Sequence, residues 1–274
     1  MTTAFVLGGG GQLGAHQVGM LRALIERGVI PELIIGTSIG AVNGAMIAGD
    51  PSLATIQRLA DLWVSIGQKG VFDTSIFERI WTFAQSGTHV QDNLSLRRLL
   101  TDAFTVELIE ELTVPFQCVA ASIEAASIHY FERGPLVDAV LASSAVPGLL
   151  PPVEIDGQHY LDGGLVASIP LDRAIVLGAT TIHVLQVGRV EAPLTVPSRP
   201  WEVAMVAFEI SRRHRFMEVL ANVPPGVTVH VLPTGEPKAF NDLRQYRMSS
   251  STTVAERIER SYEATVSYLD GMGR

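Results

Sequence analysis

The chain alternates short apolar runs with amphipathic stretches, which predicts alternating strands and helices. The apolar run Ala4–Leu7 is typical of a buried strand, and the glycines Gly8–Gly11 then lead into a helical pattern over residues 14–27. A second apolar run at 33–35 leads through another glycine-containing turn into a small-residue helix that ends near Gly49. This repeated unit predicts a parallel sheet with helices on both faces, with functional groups at the carboxyl ends of the strands.

The rest of the sequence continues the same mixture of strands and helices. In chain order we expect a helical insertion at about 52–104, strands at 116–122 and 127–131, a helix at 136–144, a hairpin at 153–161 turning at Asp156-Gly157, a short helix after Pro170, a strand at 181–187, a helix at 201–220, a strand at 227–232 and a helix at 253–269. Because no convincing linker divides the sequence, we expect one domain over residues 1–274, with C-terminal helices at about 201–271.

Composition and charge narrow the class of protein. The 274 residues are 47% hydrophobic and 18% charged, as expected of a soluble globular protein. The net charge of −8 argues against nucleic-acid binding, which needs a basic face. The single cysteine, Cys118, provides neither an internal disulfide nor a metal cluster, and the N-terminus does not resemble a cleaved secretion signal, so we expect a cytoplasmic protein. The uncharged stretch 33–49 contains several glycines, which favour a strand, turn and helix over a membrane span.

A nucleophile motif lies between the second predicted strand and the helix after it. The run Gly36-Thr37-Ser38-Ile39-Gly40 has the form G-x-S-x-G, in which the serine occupies a strained turn that exposes its hydroxyl above the strand ends. The alternative is an ordinary glycine turn with an incidental serine. The position of the run between a strand and a helix favours the nucleophile, with amides of the helix N-terminus directed at an oxyanion.

The glycine run near the N-terminus has two interpretations. Gly9-Gly10-Gly11-Gln12-Leu13-Gly14 fits the dinucleotide pattern G-x-G-x-x-G. That interpretation requires an acidic residue at the end of the second strand, but Glu32 precedes Leu33 at the wrong end of it. We therefore expect no nucleotide cofactor, and the loop amides become candidate donors to an anionic tetrahedral intermediate.

A base for the hydroxyl is the remaining requirement. Asp162-Gly163-Gly164 follows the predicted hairpin, and it would be an ordinary turn if it stood alone. The chain has seven histidines, and a surface or core position is the favoured interpretation for each of them: His16, His89, His129, His159, His183, His214 and His230. Asp162 is therefore the candidate base, because a hydroxyl nucleophile needs one within hydrogen-bond reach.

Taken together and in this order, the motifs resemble the patatin-like phospholipase family. The stretch Ala142–Gly148, which leads to Pro151-Pro152, extends the resemblance, and the motif-bearing part covers about residues 4–187. The resemblance implies a three-layer α/β/α sandwich with a mainly parallel central sheet, hydrolysis of lipid acyl esters, and no cofactor or metal.

The resemblance also implies roles for individual residues. Ser38 is the nucleophile and Asp162 its partner in a serine-aspartate dyad that needs no histidine. The remaining motif positions are the oxyanion-hole residues Gly9, Gly10, Gly11 and Ile39 and the supporting residues Gly36, Gly40, Gly163 and Gly164.

Two departures from the family pattern affect the substrate. Leu13 stands where the family usually has arginine or lysine, and Ala167-Ser168 stand where it often has asparagine. Neutral lipids and lysophospholipids are therefore candidate substrates beside phospholipids. A non-catalytic lipid-binding or scaffolding protein and an acyltransferase with the same dyad are the alternatives.

Access of the substrate is a separate hypothesis. Apolar residues cluster in the insertion, where they form either a flap over an acyl chain or, the favoured interpretation, part of the core: Val71, Phe72, Ile76, Phe77, Ile80, Trp81 and Phe83. Transient contact with a membrane surface would use exposed apolar area or local basic groups such as Arg212, Arg213 and Arg215.

Overall fold

The computed structural model describes residues 2–69, 93–147, 150–187, 194, 196–197, 200–235 and 251–272. The strands are β1 Thr3–Leu7, β2 Leu33–Thr37, β3 Phe116–Ser122, β4 Ser127–Phe131, β5 Val153–Ile155, β6 Gln158–Asp162, β7 Thr181–Leu185 and β8 Thr228–Val231. The helices are α1 Ala15–Glu26, α2 Ile39–Gly49, α3 Leu53–Lys69, α4 Leu94–Ala103, α5 Leu136–Ser143, α6 Gly164–Ala167, α7 Leu171–Val176, α8 Pro200–Ala221 and α9 Ser251–Met272.

These strands form one mixed sheet. Hydrogen-bonded neighbours follow the series β5-β6-β3-β2-β1-β7-β8, in which β6 and β2 pair with successive parts of β3, and β4 also pairs with β3. Neighbouring strands are parallel along the part of this series that runs from β3 through β2, β1 and β7 to β8. The pairs β4–β3, β6–β3 and β5–β6 are antiparallel. The sheet is therefore mainly parallel, as expected, with an antiparallel margin beside β3.

Helices cover both faces of the sheet. In β1, Phe5 and Leu7 contribute to one apolar core together with residues of α1, α2, α3, α5 and α9. Ala4 and Val6, which alternate with them along the strand, contribute to a second core with residues of α6, α7 and α8. Because both faces of β1 are buried, its sequence is a continuous apolar run, and the expected three-layer arrangement is confirmed.

The predicted elements agree with the structure apart from their ends. The strand expected at 181–187 ends at Leu185. The hairpin turns where expected, with φ of 51° at Asp156 and 74° at Gly157, as a tight hairpin turn requires. Among the described residues, three short elements were not predicted: 3₁₀ helices at Gly11–Gly14 and Ile109–Glu111, and α6 shortly after Asp162. The apolar cluster at 71–83 lies outside the described residues.

The uncharged stretch 33–49 forms β2 and α2, as expected for a strand, turn and helix. Within the described ranges, no helix combines the length and apolar character needed to cross a membrane.

The pairing of β3 positions the ends of β2 and β6. Val119 pairs with Thr37 of β2 on one side and with β4 on the other. The next residue, Ala120, pairs with Asp162 of β6 and again with β4. Since β4 occupies one edge of β3 at both positions, β2 and β6 share the opposite edge. The carboxyl ends of β2 and β6 therefore meet one residue apart along β3.

Candidate active site

Ser38 lies in the tight turn between β2 and α2. Its backbone has φ of 55° and ψ of −124°, which is a strained conformation for a residue other than glycine. Gly36 and Gly40 make the turn sterically allowed: a Cβ on Gly36 would lie 2.4 Å from the Gly40 carbonyl oxygen, and a Cβ on Gly40 would lie 2.2 Å from that of Leu7. The structure therefore requires glycine at both motif positions.

The Ser38 and Asp162 side chains are in direct contact. The Ser38 hydroxyl donates to Asp162 Oδ2 at 2.6 Å, although the two residues are 124 positions apart in the sequence. The other carboxylate oxygen, Oδ1, accepts the Gly164 amide N–H at 2.7 Å. Both side chains are nearly buried, with exposed fractions of 9% for Ser38 and 6% for Asp162. The carboxylate is thus held with one oxygen directed at the serine.

The environment of Asp162 changes its acidity. Burial raises the pKa of Asp162 from its ordinary value of 3.8 to about 6, while the hydrogen bonds from Ser38 and Gly164 act in the opposite direction. A carboxylate with this pKa is still ionised at neutral pH, and it is a stronger base than an exposed aspartate. The site therefore brings the base closer in pKa to the pH range at which it has to accept a proton.

Residues at the C-terminal end of α5 join the serine turn to the aspartate strand. The Ser143 hydroxyl accepts the Ser38 amide N–H at 2.9 Å, and the Ser143 carbonyl accepts the Gly163 amide at 3.2 Å. The Asp162 amide donates to the Ala145 carbonyl at 2.9 Å. Sequence analysis placed these residues in the family motif but missed the role of the Ser143 hydroxyl, for which the local pattern gives no signal.

Gly163 is also required by its surroundings. A Cβ at this position would lie 2.2 Å from the Val119 carbonyl oxygen, so β3 passes too close for any side chain. Gly164 begins α6 and supplies the amide that fixes Asp162. The two glycines after Asp162 therefore have different functions, close packing and hydrogen bonding.

The glycine loop lies beside Ser38. A Cβ on Gly9 would lie 3.3 Å from the Ser38 Cβ, and the Gly9 amide already donates to the Ser168 carbonyl at 2.9 Å. The amides of Gly10, Gly11 and Ile39 have no protein acceptor among the residues that the structure describes. Of the four predicted donors, these three therefore remain available to an external oxygen, whereas the Gly9 amide is bonded to Ser168.

The described histidines do not contact the serine or the aspartate through a hydrogen bond. His183 is buried, as predicted, and it stacks on His230 with ring centroids 4.9 Å apart. Burial lowers the pKa of His183 to about 4 and, together with the charge of Arg257, lowers that of His16 to about 3. His159 is exposed and binds Glu124. His89 lies outside the described residues.

The three arginines of α8 that were considered for contact with a membrane surface are paired with carboxylates. Arg212 and Arg213 both bind the buried Glu209 carboxylate, at 2.7 Å and 2.6 Å. Arg215 binds Asp172 at 2.8 Å. Arg212 and Arg213 are nearly buried in their ion pairs, whereas the Arg215 side chain is 40% exposed. The run of basic residues in the sequence does not reveal this pairing, and contact with a membrane surface stays a prediction.

Comparison with known proteins agrees with this geometry. The family model described as patatin-like phospholipase matches residues 5–175, more than half of the chain. This chain belongs to the patatin-like phospholipase family. Its sequence is 34% identical over 189 residues to human patatin-like phospholipase domain-containing protein 6, a match that covers 68% of this chain and 13% of the human protein. It is 31% identical over 194 residues to lysophospholipase nte1 of Aspergillus terreus, covering 69% of this chain and 12% of that relative.

Two solved structures have a similar fold. VipD from Legionella pneumophila has a TM-score of 0.53 at 15% identity, covering 98% of this chain and 67% of that protein. Human GIVD cytosolic phospholipase A2 has a TM-score of 0.52 at 13% identity, covering 99% and 57% of the two chains. At these identities the likeness shows the fold alone. The patatin-like domain seen here spans only a small part of the length of the curated relatives.

Proposed function

We propose that this protein hydrolyses carboxylic esters of lipids through a covalent acyl-serine intermediate, with Ser38 as the nucleophile and Asp162 as the base. The 2.6 Å hydrogen bond between the two side chains is the observation that carries this proposal. Membership of the patatin-like phospholipase family supports the class of substrate. The strained serine turn supports the nucleophilic role, because it exposes a hydroxyl at the start of a helix.

In the acylation step, Asp162 takes the hydroxyl proton as Ser38 Oγ attacks the ester carbonyl carbon. The carbonyl oxygen becomes an oxyanion and accepts hydrogen bonds from the backbone N–H groups of Gly10, Gly11 and Ile39. Collapse of the tetrahedral intermediate breaks the bond to the leaving alcohol, which receives the proton from Asp162. Water then attacks the acyl-serine while Asp162 accepts a proton from it. Collapse of this second tetrahedral intermediate breaks the bond to Ser38 Oγ, which takes the proton from Asp162, and the fatty acid leaves with both side chains restored.

The oxyanion donors carry a large share of the proposed rate acceleration, since even a raised carboxylate pKa is low for deprotonating an alcohol. Each donor in such a site is typically worth about 10²–10³ in rate. We assign Gly9 a packing function beside Ser38 rather than a donor function, because its amide is bonded to Ser168.

The substrate range follows from the loop. Leu13 is apolar and buried, with an exposed fraction of 9%. This loop position therefore offers no positive charge to an acyl ester. We infer that neutral lipids and lysophospholipids are substrates alongside phospholipids, and that the protein is cytoplasmic and contacts membrane surfaces transiently. We also propose that residues 1–274 act as one acyl-hydrolase domain.

The test is an activity screen of the purified protein and its Ser38→Ala and Asp162→Asn variants. Nitrophenyl esters, monoacylglycerol, lysophospholipid and phospholipid are the substrates, and a fluorophosphonate probe reports the reactive serine. Ser52→Ala is the matched control, because the Ser52 hydroxyl bonds Asp50 at the surface before α3. We expect each site variant to lose about a thousandfold or more in kcat and the control to keep full activity.

The outcomes separate the alternatives. Near-wild-type turnover in folded Ser38→Ala or Asp162→Asn protein contradicts the dyad. A wild-type protein that neither turns over esters nor binds the probe is a non-catalytic lipid-binding protein. Transfer of the acyl group to added glycerol, in preference to water, identifies an acyltransferase.

A further inference from the structure

Three buried polar side chains form a connected chain beneath the glycine loop. The Trp63 indole Nε1–H, from α3, donates to Asn43 Oδ1 in α2 at 3.1 Å. Asn43 Nδ2 donates to Gln17 Oε1 in α1 at 2.8 Å and to the Gly14 carbonyl at 3.0 Å. Gln17 and Asn43 have no exposed surface, and the exposed fraction of Trp63 is 2%.

At its other end, this series of hydrogen bonds reaches the backbone on the far side of the glycine loop. Gln17 Nε2 donates to the Gly8 carbonyl at 2.8 Å and to the Leu185 carbonyl at the end of β7 at 2.9 Å. The loop is therefore held at both of its ends, Gly8 and Gly14. Between these two anchors lie Gly10 and Gly11, whose amides are the proposed oxyanion donors.

The direction of every hydrogen bond in this chain is fixed. An indole N–H only donates, so the atom of Asn43 facing Trp63 must be its oxygen. The Asn43 amide nitrogen must then face Gln17 Oε1, and the Gln17 amide nitrogen must face the two carbonyls, which only accept. Both side-chain amides use both of their N–H groups, so neither can flip without losing bonds.

Among the partners of these buried amides are carbonyls at the two ends of the glycine loop. The surrounding core is apolar, and burying an amide is favourable only when all its groups are bonded. An apolar side chain of similar volume would fill the same space. What an apolar side chain would not do is hold the Gly8 and Gly14 carbonyls at the ends of a loop whose glycines have more backbone freedom than other residues.

We propose that Trp63, Asn43 and Gln17 form a hydrogen-bond relay that positions the glycine loop so that its amides bind the oxyanion. The three are positioning residues, since they act on the reacting atoms only through the loop. This inference rests on the proposed acyl-hydrolase function of the same site.

The main test is Gln17→Met, which keeps the approximate volume of the side chain and removes all three of its bonds. We expect kcat for a nitrophenyl ester to fall roughly 10- to 100-fold, because oxyanion stabilisation depends on the position of the donors. KM should change less than about threefold, and the pH midpoint of kcat should stay at the wild-type value, since Asp162 is untouched. Circular dichroism and thermal unfolding check that the variant is folded.

Two further variants complete the design. Trp63→Phe keeps an aromatic ring but removes the indole N–H together with part of the ring volume beside Gly14, so its thermal unfolding is measured with kcat. We expect a smaller loss of kcat, about 3- to 10-fold. Gln117→Met is the matched control: Gln117 is also a nearly buried glutamine, bonded to Glu132 and Arg173 instead of the loop. We expect it to keep kcat within about twofold of wild type.

The result that overturns the relay is a folded Gln17→Met protein with kcat within about twofold of wild type. A loss of kcat that comes with a shifted pH midpoint or a large rise in KM overturns it as well, because the damage would then lie at the dyad or in substrate binding. If Gln17→Met does not fold, Trp63→Phe decides by the same criteria. Failure of the proposed function is distinguishable, because wild type and Gln117→Met would then both fail to hydrolyse esters and to bind the probe.

Discussion

Asp162→Asn is expected to make the protein more stable at neutral pH while abolishing its activity. Burial raises the pKa of this carboxyl from 3.8 to about 6 in the folded protein. Each tenfold change in a dissociation constant corresponds to about 1.4 kcal/mol, so ionising the buried group costs about 3 kcal/mol of folding free energy. The asparagine amide matches the carboxylate in shape: its oxygen can accept the Gly164 N–H and its nitrogen can donate to Ser38 Oγ.

The sign of the pH dependence follows from the direction of the pKa change. The folded protein binds the Asp162 proton more tightly than the unfolded chain does. Below about pH 4 the carboxyl stays protonated, so this group does not lower the free energy of unfolding there. Wild type loses stability as the pH rises through about 6 and reaches a plateau above it. The uncharged variant has no such loss, so its advantage should be close to zero at pH 4 and about 3 kcal/mol at pH 8.

Urea unfolding of both proteins between pH 4 and pH 8, followed by circular dichroism, measures this difference. Asp61→Asn controls for the removal of a negative charge, since Asp61 is exposed on α3, where its carboxylate accepts the Gln57 side-chain N–H at 3.0 Å. We expect the control to stay within about 0.5 kcal/mol of wild type at every pH. A stability difference that is equal at the two ends of the pH range, or an Asp162→Asn protein less stable than wild type at pH 8, would refute the reasoning.

Three more outcomes follow from the site. Ester hydrolysis by wild type should fall about tenfold per pH unit below about 6 as Asp162 takes up a proton, and a flat profile between pH 4 and pH 7 would contradict its role as base. Ser143→Ala removes the acceptor of the Ser38 amide, so kcat should fall about tenfold in steady-state assays, and unchanged kcat would show that the bond does not hold the strained turn. Gly40→Ala places a Cβ 2.2 Å from the Leu7 carbonyl oxygen, so thermal unfolding should reveal a loss of several kcal/mol or no folded protein, and a wild-type melting temperature would contradict the packing.

The strands and most helices could be predicted because each follows from a local pattern. β1 contains a continuous apolar run that is followed by glycines, and Ser38 lies in a five-residue motif with a fixed backbone geometry. The serine-aspartate contact was expected only through the resemblance to a family. From the residues alone, Asp162-Gly163-Gly164 is a common turn, since nothing local indicates which strand it will meet.

The features that sequence analysis missed depend on long-range packing. The Ser143 hydroxyl reaches Ser38 only because α5 ends beside the strand margin, which no local pattern encodes. Gln17 and Asn43 did offer a signal, since each is a polar residue in a helix whose other residues are largely buried and apolar. A side-chain amide on such a buried helix face needs hydrogen-bond partners, and the carbonyls of the adjacent glycine loop are candidates for them.

Because β2 and β6 meet along one edge of β3, their pairing with β3 sets the distance between Ser38 and Asp162. The spacing of nucleophile and base is set by one step between Val119 and Ala120, rather than by the long polypeptide that connects them. Loops in the intervening sequence can lengthen or shorten without altering this spacing as long as the strand register is kept. A slip of β6 by a single position, by contrast, would displace the carboxylate by about 3.3 Å and separate the pair.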